Sequence, residues 1–320
     1  MGKKKVLVCG ATGFIGRNLC EQLAQNDTLE VIGVNHDRPL FDCAGVKWIQ
    51  ADLTQKNDVE RCVRGIDIII QAAASSSGVK DIISRPYIHV TDNALMNSLI
   101  FRAAHDHQVS HVLFFSCSVM YSSSSIPLKE NDFKADKEMN ASYFGIGWTK
   151  VYLEKMCEFF SGLGVTRYTV IRHSNVYGPH DKFDLERSHV FGASLTKVLH
   201  CTNGQILVWG DGKEERDLLY ISDLINFVQL AINKQDIPFC LLNIGYGSSV
   251  SISDLIKKII TISGKNIKIE YDISKPTIST RIALNSQKAK QLFGWEPKVD
   301  LENGIRKTMD WHKSNIPFPR

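Results

Sequence analysis

The sequence predicts an α/β fold in which helices cover both faces of a parallel sheet and a smaller α/β lobe follows. Short apolar runs alternate with longer amphipathic segments from the N-terminus onward, which is the pattern of β-α-β units. A glycine-rich loop follows the first apolar run directly. After about Pro179 the alternation gives way to turn-rich pieces between helical segments. We therefore expect a first domain over residues 1–178 and a second over residues 179–320.

The apolar runs indicate the strands, and the amphipathic segments indicate the helices. Strands are expected at residues 6–9, 31–34, 48–50, 67–71, 112–115 and 168–172. Helices are expected at residues 16–25, 92–106 and 150–160 in the first domain, and at 252–262 and 287–293 in the second. Apolar strands separated by helices in this way favour one doubly wound sheet that is buried on both faces.

The composition is that of a globular protein, and it excludes several classes. Hydrophobic residues make up 43% of the chain and charged residues 22%, so a packed core is expected. The net charge of +4 is small and the basic residues are scattered, which argues against a nucleic-acid partner. The eight cysteines form no CxxC pair, which indicates free thiols in a reducing compartment and no metal site. No run resembles a signal peptide or a membrane span, so we expect a cytoplasmic protein.

The first predicted strand is followed at once by the loop Gly10-Ala11-Thr12-Gly13-Phe14-Ile15-Gly16, which opens a helix. In this context the first glycine permits a tight turn, the second lets the backbone approach a pyrophosphate, and the third allows close helix–strand packing. Free N–H groups at the helix N-terminus favour phosphate. The sequence therefore predicts a Rossmann dinucleotide site that is formed by Gly10, Thr12, Gly13, Phe14, Ile15 and Gly16.

Two further strand ends extend this cofactor track. Asp52 and Leu53 close the third predicted strand, where a carboxylate can accept a hydrogen bond from an adenine amino group. Small side chains close the fourth strand, where a cofactor can lie against the backbone: Ala72, Ala73 and Ala74.

The end of the second strand predicts the choice of nicotinamide cofactor. An acidic side chain there binds a ribose 2′-OH, whereas a nearby arginine accommodates a 2′-phosphate. The position falls on Asn35, a neutral amide, with Arg38 three residues later and Arg17 beside the glycine loop. This combination favours NADP. Asp37 keeps NAD open, because a shift of two residues would restore the carboxylate.

Further motifs carry a resemblance that covers nearly the whole chain. They are Ser116-Cys117-Ser118-Val119-Met120-Tyr121, Arg172-His173-Ser174-Asn175-Val176-Tyr177-Gly178-Pro179 and Arg216-Asp217-Leu218. With the glycine loop, they resemble the extended short-chain dehydrogenase/reductases of the NAD-dependent epimerase/dehydratase family. The run from Asn175, followed by Ser188-His189-Val190, is most similar to its GDP-L-fucose synthase group. The resemblance implies a homodimer and a GDP-linked nucleotide-sugar substrate that is bound mainly by the second domain.

In this family a Ser or Thr after strand five and a Tyr-x-x-x-Lys on the next helix carry out the chemistry, and this sequence departs from both. Lys150 is in place, but the residue four positions before it is Ile146, which cannot transfer a proton. The Ser/Thr position falls on Cys117, between Ser116 and Ser118, and a thiol is a weak hydrogen-bond donor. The resemblance therefore implies an atypical catalytic site.

Tyr143 is the preferred substitute for the missing tyrosine. It lies three residues before Ile146, so on a regular helix it projects from nearly the same face. The alternative is that Tyr143 only packs at the helix start. His189 matches a family histidine that moves protons beside the ketone, and a structural role that bridges loops is the alternative. The cysteine that accompanies this histidine aligns with Val119.

The resemblance also implies residues that hold the nucleotide diphosphate. These are Asn175, Arg216 and Arg281, and an arginine pairs well with phosphate oxygens. The alternative for Arg216 is an ion pair with Glu214 or Glu215.

Three functions are compatible with the sequence. The first is hydride transfer at C4 of a GDP-sugar, by a 4-keto reductase or a 4-dehydrogenase that uses NADP or NAD. The second is a 4-epimerase or dehydratase that recycles its cofactor internally. The third is a non-catalytic member that only binds a dinucleotide, an interpretation that rests on Ile146 and Cys117.

Overall fold

A seven-stranded parallel sheet forms the centre of the computed structural model, which describes residues 2–75, 85–185, 188–275 and 277–317. In chain order the first six strands are β1 (Lys4–Cys9), β2 (Leu29–Asn35), β3 (Val46–Gln50), β4 (Ile68–Gln71), β5 (His111–Phe115) and β6 (Arg167–His173). The later strands are β7 (Asn175–Tyr177), β8 (Gln205–Trp209), β9 (Glu215–Tyr220), β10 (Phe239–Ile244), β11 (Ser249–Ser251) and β12 (Lys268–Asp272). The order across the large sheet is β10-β6-β5-β4-β1-β2-β3, and all neighbours are parallel. The predicted α/β fold is confirmed.

Helices of the described segments cover both faces of this sheet. They are α1 (Phe14–Leu23), α2 (Lys56–Val63), α3 (Thr91–Asp106), α4 (Phe144–Ser161), α5 (Val190–His200), α6 (Ile221–Lys234), α7 (Ile252–Ser263), α8 (Gln287–Phe293) and α9 (Leu301–Asn315). Helices α1 and α6 contribute to the core on one face, and helices α2, α3 and α4 contribute to the core on the other. None of these helices is long and apolar enough to cross a lipid bilayer.

Strand β1 illustrates why the apolar runs of this sequence become interior strands. Val6 and Val8 belong to one core and Leu7 and Cys9 to the other, and all four side chains are fully buried. Successive side chains of a strand point to opposite faces, so a strand that is covered on both sides needs apolar residues at every position. All eight cysteines are free thiols.

The second half of the chain contributes two small sheets, with the orders β11-β9-β7 and β12-β8. It also contributes β10, which pairs with β6 and completes the large sheet. The large sheet therefore takes one strand from beyond residue 178, and the division into residues 1–178 and 179–320 stays a prediction.

The predicted strands are all present, but helix α4 begins six residues before its predicted start at residue 150. Two glycines made this turn look like a loop, because glycine is a poor helix former. A side chain at Gly147 would collide with the sulfur of Met139, and one at Gly145 would lie 2.8 Å from a methyl group of Val90. Close packing therefore explains both glycines inside a helix.

Candidate active site

A cleft of about 1390 Å³ lies along the carboxyl edge of the large sheet. The ends of β1, β2, β4, β5 and β6 form one wall, and residues of α5, β8 and β9 contribute to the opposite wall. Parallel strands end at the same edge, so residues that are far apart in sequence meet there.

The glycine loop is built as its spacing predicts. Gly10 has a φ of 72°, and a Cβ there would lie 2.7 Å from the Cα of Ala73 at the end of β4. A Cβ at Gly16 would overlap the carbonyl oxygen of Gly10, so the helix packs tightly on the strand end. The N–H of Gly13 donates to that oxygen at 2.9 Å. No described side chain caps the start of α1, and Thr12, Phe14 and Ile15 line the cleft with the loop.

This cradle fits a dinucleotide pyrophosphate. The close approaches at Gly10 and Gly16 leave no room for side chains, so the backbone itself faces the cleft. A helix N-terminus without a side-chain cap presents N–H donors and a positive dipole end to an anion.

Strands β2 and β3 form the adenosine end of the cleft. Asn35 ends β2, is 8% exposed, and its carbonyl accepts from the N–H of Ala51 at 3.0 Å. Asp52 accepts from the backbone N–H and the hydroxyl of Thr54, and these hydrogen bonds lower the pKa of its carboxyl. Asp52 and the buried Leu53 both line the cleft, together with Ala72, Ala73 and Ala74 from the end of β4.

Two arginines stand near the glycine loop, but only one of them lines the cleft. The Nε of Arg17 pairs with Glu21 at 2.9 Å, and its guanidinium lies 4.3 Å from the ring centre of Phe41. Arg38 is exposed and lines the cleft, and its Nη1 lies 3.9 Å from the position that a Cβ of Gly13 would occupy.

Lys150 lies at the other end of the cleft, on α4. Its Nζ donates to the carbonyl oxygen of Phe115 at 2.8 Å and lies 4.8 Å from the ring centre of Phe114. Burial lowers the pKa of this ammonium, and Cys117 and Glu154 act in the opposite direction. The lysine is thus fixed against the end of β5 with its remaining N–H groups available.

The three candidates at the end of β5 have different surroundings. Ser116 is 1% exposed and donates to the carboxylate of Glu154 at 2.5 Å, so its hydroxyl proton is already engaged. That carboxylate also pairs with Arg172, with oxygen–nitrogen distances of 2.6 and 2.9 Å. Cys117 and Ser118 line the cleft. Burial raises the pKa of the Cys117 thiol, although Lys150 partly offsets the effect.

Tyr143 and Ile146 both line the cleft at the start of α4. Burial raises the pKa of the Tyr143 phenol, and the charge of Arg216 acts in the opposite direction. Lys150 does not contribute to this shift, so Tyr143 stands on the side of the cleft that holds Arg216.

His189 and Asn175 line the part of the cleft next to the second domain. The side chain of His189 is open to the cleft, yet the surrounding protein lowers the pKa of its imidazole to about 4. The charge of Lys182 and the neighbouring His173 contribute to that shift. His189 is therefore neutral at physiological pH.

The structure separates the two arginines that the resemblance places at the diphosphate. Arg216 lines the cleft, and its guanidinium donates to the carbonyl oxygens of Glu215, Ile278 and Thr280 at 2.8 to 3.1 Å. Arg281 is not among the residues that line the cleft. It is half exposed and pairs with Glu215 at 3.0 Å.

Comparison with known proteins identifies the fold and the site. The family model for the NAD dependent epimerase/dehydratase family matches residues 6–245. The chain belongs to this family. The membership confirms that the chain is an enzyme and that its cofactor is a nicotinamide dinucleotide.

Several relatives of this family member match over almost their whole length. GDP-L-colitose synthase of Yersinia pseudotuberculosis is 26% identical over 313 residues, which cover 96% of this chain and 97% of the relative. GDP-L-fucose synthase of Escherichia coli strain K12 is 27% identical over 329 residues, with 98% of both chains covered. Among solved structures, UDP-glucose 4-epimerase of Thermotoga maritima with UDP-glucose has a TM-score of 0.86 at 24% identity, and 98% of this chain and 100% of that chain are covered. The last match supports the fold alone.

The cleft of this epimerase/dehydratase family member also contains residues that the sequence analysis missed. They are His173, Asp181, Lys182, Lys197 and Trp209. A signal was available for His173, because it is the last residue of a predicted strand and the neighbouring strand ends had all been selected. The other four lie in segments whose position against the sheet depends on tertiary packing.

The glycine cradle gives a direct prediction. Gly10→Ala should both destabilise the protein and weaken NAD(P)H binding by about tenfold or more, because a Cβ at Gly10 would displace the end of β4. Gly65→Ala is the matched control, since Gly65 has the same φ of 72° but nothing within 4 Å of its Cβ position. Gly65→Ala should cost only the strain of the left-handed backbone, about 1–2 kcal/mol. Denaturant unfolding and a fluorescence titration of NADPH compare the two. Equal binding by both variants would contradict the proposed cradle.

Proposed function

We propose that this protein transfers hydride between a nicotinamide cofactor and C4 of a GDP-sugar, as a 4-keto reductase or a 4-dehydrogenase. The observation that carries the proposal is that Lys150 and the phenol of Tyr143 enter one cleft from the same helix. The names of the two full-length relatives support a GDP-linked substrate. When bound, the nicotinamide supplies or accepts the hydride.

Lys150 binds and orients the nicotinamide half of the cofactor in this proposal. An ammonium has three N–H donors, and one of them is used by the carbonyl of Phe115. The others are available to ribose hydroxyls. The same positive charge stabilises negative charge that develops on a sugar oxygen during reduction.

Tyr143 supplies the proton to the C4 oxygen in the reductive direction. Because burial raises the pKa of its phenol, Tyr143 is protonated at neutral pH and can act as a donor. Neither Ile146 nor the engaged hydroxyl of Ser116 can take this role. Cys117 and Ser118 are left to hydrogen-bond the substrate.

The second domain holds the nucleotide-sugar. Arg216 is anchored by carbonyl oxygens, so its guanidinium has no competing carboxylate among the hydrogen bonds that hold it. It pairs with the diphosphate together with Asn175, while the neutral His189 contacts the sugar. Arg281 contributes only if it leaves Glu215 when substrate binds.

NADP is the proposed cofactor, with NAD as the alternative. Asn35 offers no carboxylate to a ribose 2′-OH, and Arg38 is the exposed cation that lines the cleft beside the glycine loop. Arg17 is held by Glu21 and Phe41, so it supports the loop without facing the cofactor.

We also propose a cytoplasmic homodimer. Large apolar side chains on α3 and α4 are exposed, with Leu95, Tyr152 and Phe159 at 49%, 56% and 63%. Pairing of these two helices with their copies would bury them, and light scattering of the purified protein tests the pairing.

Deuterium transfer tests the proposed reaction. GDP-4-keto-6-deoxymannose is incubated with the protein and NADPH that carries deuterium at the transferred position, and with deuterated NADH in a parallel tube. The expected result is a sugar product that is heavier by one deuterium, with faster labelling from NADPH. A Lys150→Ala tube serves as the control for non-enzymatic transfer. Absence of deuterium from the sugar in both tubes contradicts the proposal.

The proton donor gives a separate prediction. Tyr143→Phe should lower kcat by about 10²–10⁴-fold with little change in KM, because the ring still fits but no proton can be donated. Tyr271→Phe is the matched control, since Tyr271 lies outside the cleft and bonds the hydroxyl of Ser253. Steady-state rates of NADPH oxidation compare the variants. A kcat within twofold of the unmodified protein would remove Tyr143 from this role.

A further inference from the structure

His173 lies at the nicotinamide end of the cleft, as the strand order requires. The glycine loop at the end of β1 holds the pyrophosphate, and the ends of β2 and β3 form the adenosine side. The other half of the dinucleotide must extend across β4, β5 and β6. His173 is the last residue of β6 and lines the cleft. Its imidazole packs edge-on against Phe115, with ring centres 6.0 Å apart.

A hydrogen bond determines which ring nitrogen of His173 carries the proton. Nδ1 lies 2.7 Å from the carbonyl oxygen of Ser174. A carbonyl oxygen can only accept, so Nδ1 must be protonated, and in the neutral ring Nε2 is then an acceptor. Within the described segments Nε2 has no hydrogen-bond partner. The ring therefore offers one unused acceptor in the cleft.

The surroundings keep this imidazole neutral. Burial lowers the pKa of His173 to about 4, and the charge of Lys150 contributes in the same direction. The other titratable group that faces it is His189, which is itself neutral. Neutrality matters at this position, because oxidised nicotinamide carries a positive charge and Lys150 already supplies one cation nearby.

We propose that His173 binds the nicotinamide ring, with Nε2 accepting a hydrogen bond from its carboxamide N–H₂ group. The carboxamide bears the only N–H donors of that ring, and Nε2 is the acceptor that the end of β6 offers to it. This inference rests on dinucleotide binding and not on reaction at C4. The binding assays below therefore stay informative if the proposed reaction fails.

Equilibrium binding of oxidised and reduced cofactor to variants tests the assignment. His173→Gln keeps an acceptor near the position of Nε2 and should bind both forms within about threefold of the unmodified protein, whereas His173→Leu should lose about tenfold for both. His173→Lys adds a cation, so it should weaken binding of the oxidised form about tenfold more than that of the reduced form. His105→Lys is the matched control, since His105 packs on Phe160 outside the cleft.

Nitrogen NMR of ¹⁵N-histidine-labelled unmodified protein provides a second measurement that needs no folded variant. The account expects a neutral His173 ring at pH 7 that is protonated on Nδ1, with an Nε2 resonance that moves when oxidised cofactor is added. Protonation on Nε2, or an Nε2 resonance that saturating cofactor leaves unmoved, overturns the proposal. So does a His173→Leu variant with unchanged affinity for both cofactor forms.

Discussion

All seven strands of the large sheet run in the same direction, so their carboxyl ends share one edge, and the functional residues are confined to that edge. Gly10, Asn35, Ala73, Cys117 and His173 each lie at the end of a different strand, yet all of them line one cleft. The close contact of Gly10 with Ala73 joins the pyrophosphate cradle to the end of β4. Any change in the strand order would separate the cofactor site from Lys150.

The reactive end of the cleft is supported by a buried polar network. Glu154 lies one turn after Lys150 on α4 and accepts from Ser116 on β5 and from Arg172 on β6. Arg172 also donates to the hydroxyl of Tyr121 at 2.8 Å. A buried ion pair of this kind adds little net stability, because desolvation of both charges offsets their attraction. We interpret the network as a means of positioning, since it joins two strand ends and a helix in a single arrangement beneath Lys150.

The sequence predicted the parts of the structure that depend on local pattern. The interior strands, the glycine loop and Lys150 follow from apolar runs and short motifs whose geometry is determined by neighbours in the chain. The place of β10 in the large sheet could not be predicted in this way, because strand partners are chosen by tertiary packing. For the same reason the pairing of Arg281 with Glu215, the engagement of Ser116 and the position of His173 became visible only in the structure.

The central claim is that the phenol of this active site has moved by about one helical turn, from position 146 to Tyr143. The measurement that tests it most directly is the kcat of NADPH oxidation when Ile146→Tyr is added to a Tyr143→Phe background. Ile146 lines the open cleft, so a larger side chain has room there. The account predicts that the double variant regains at least about tenfold in kcat over Tyr143→Phe alone. No gain in a folded double variant that still binds cofactor would contradict it.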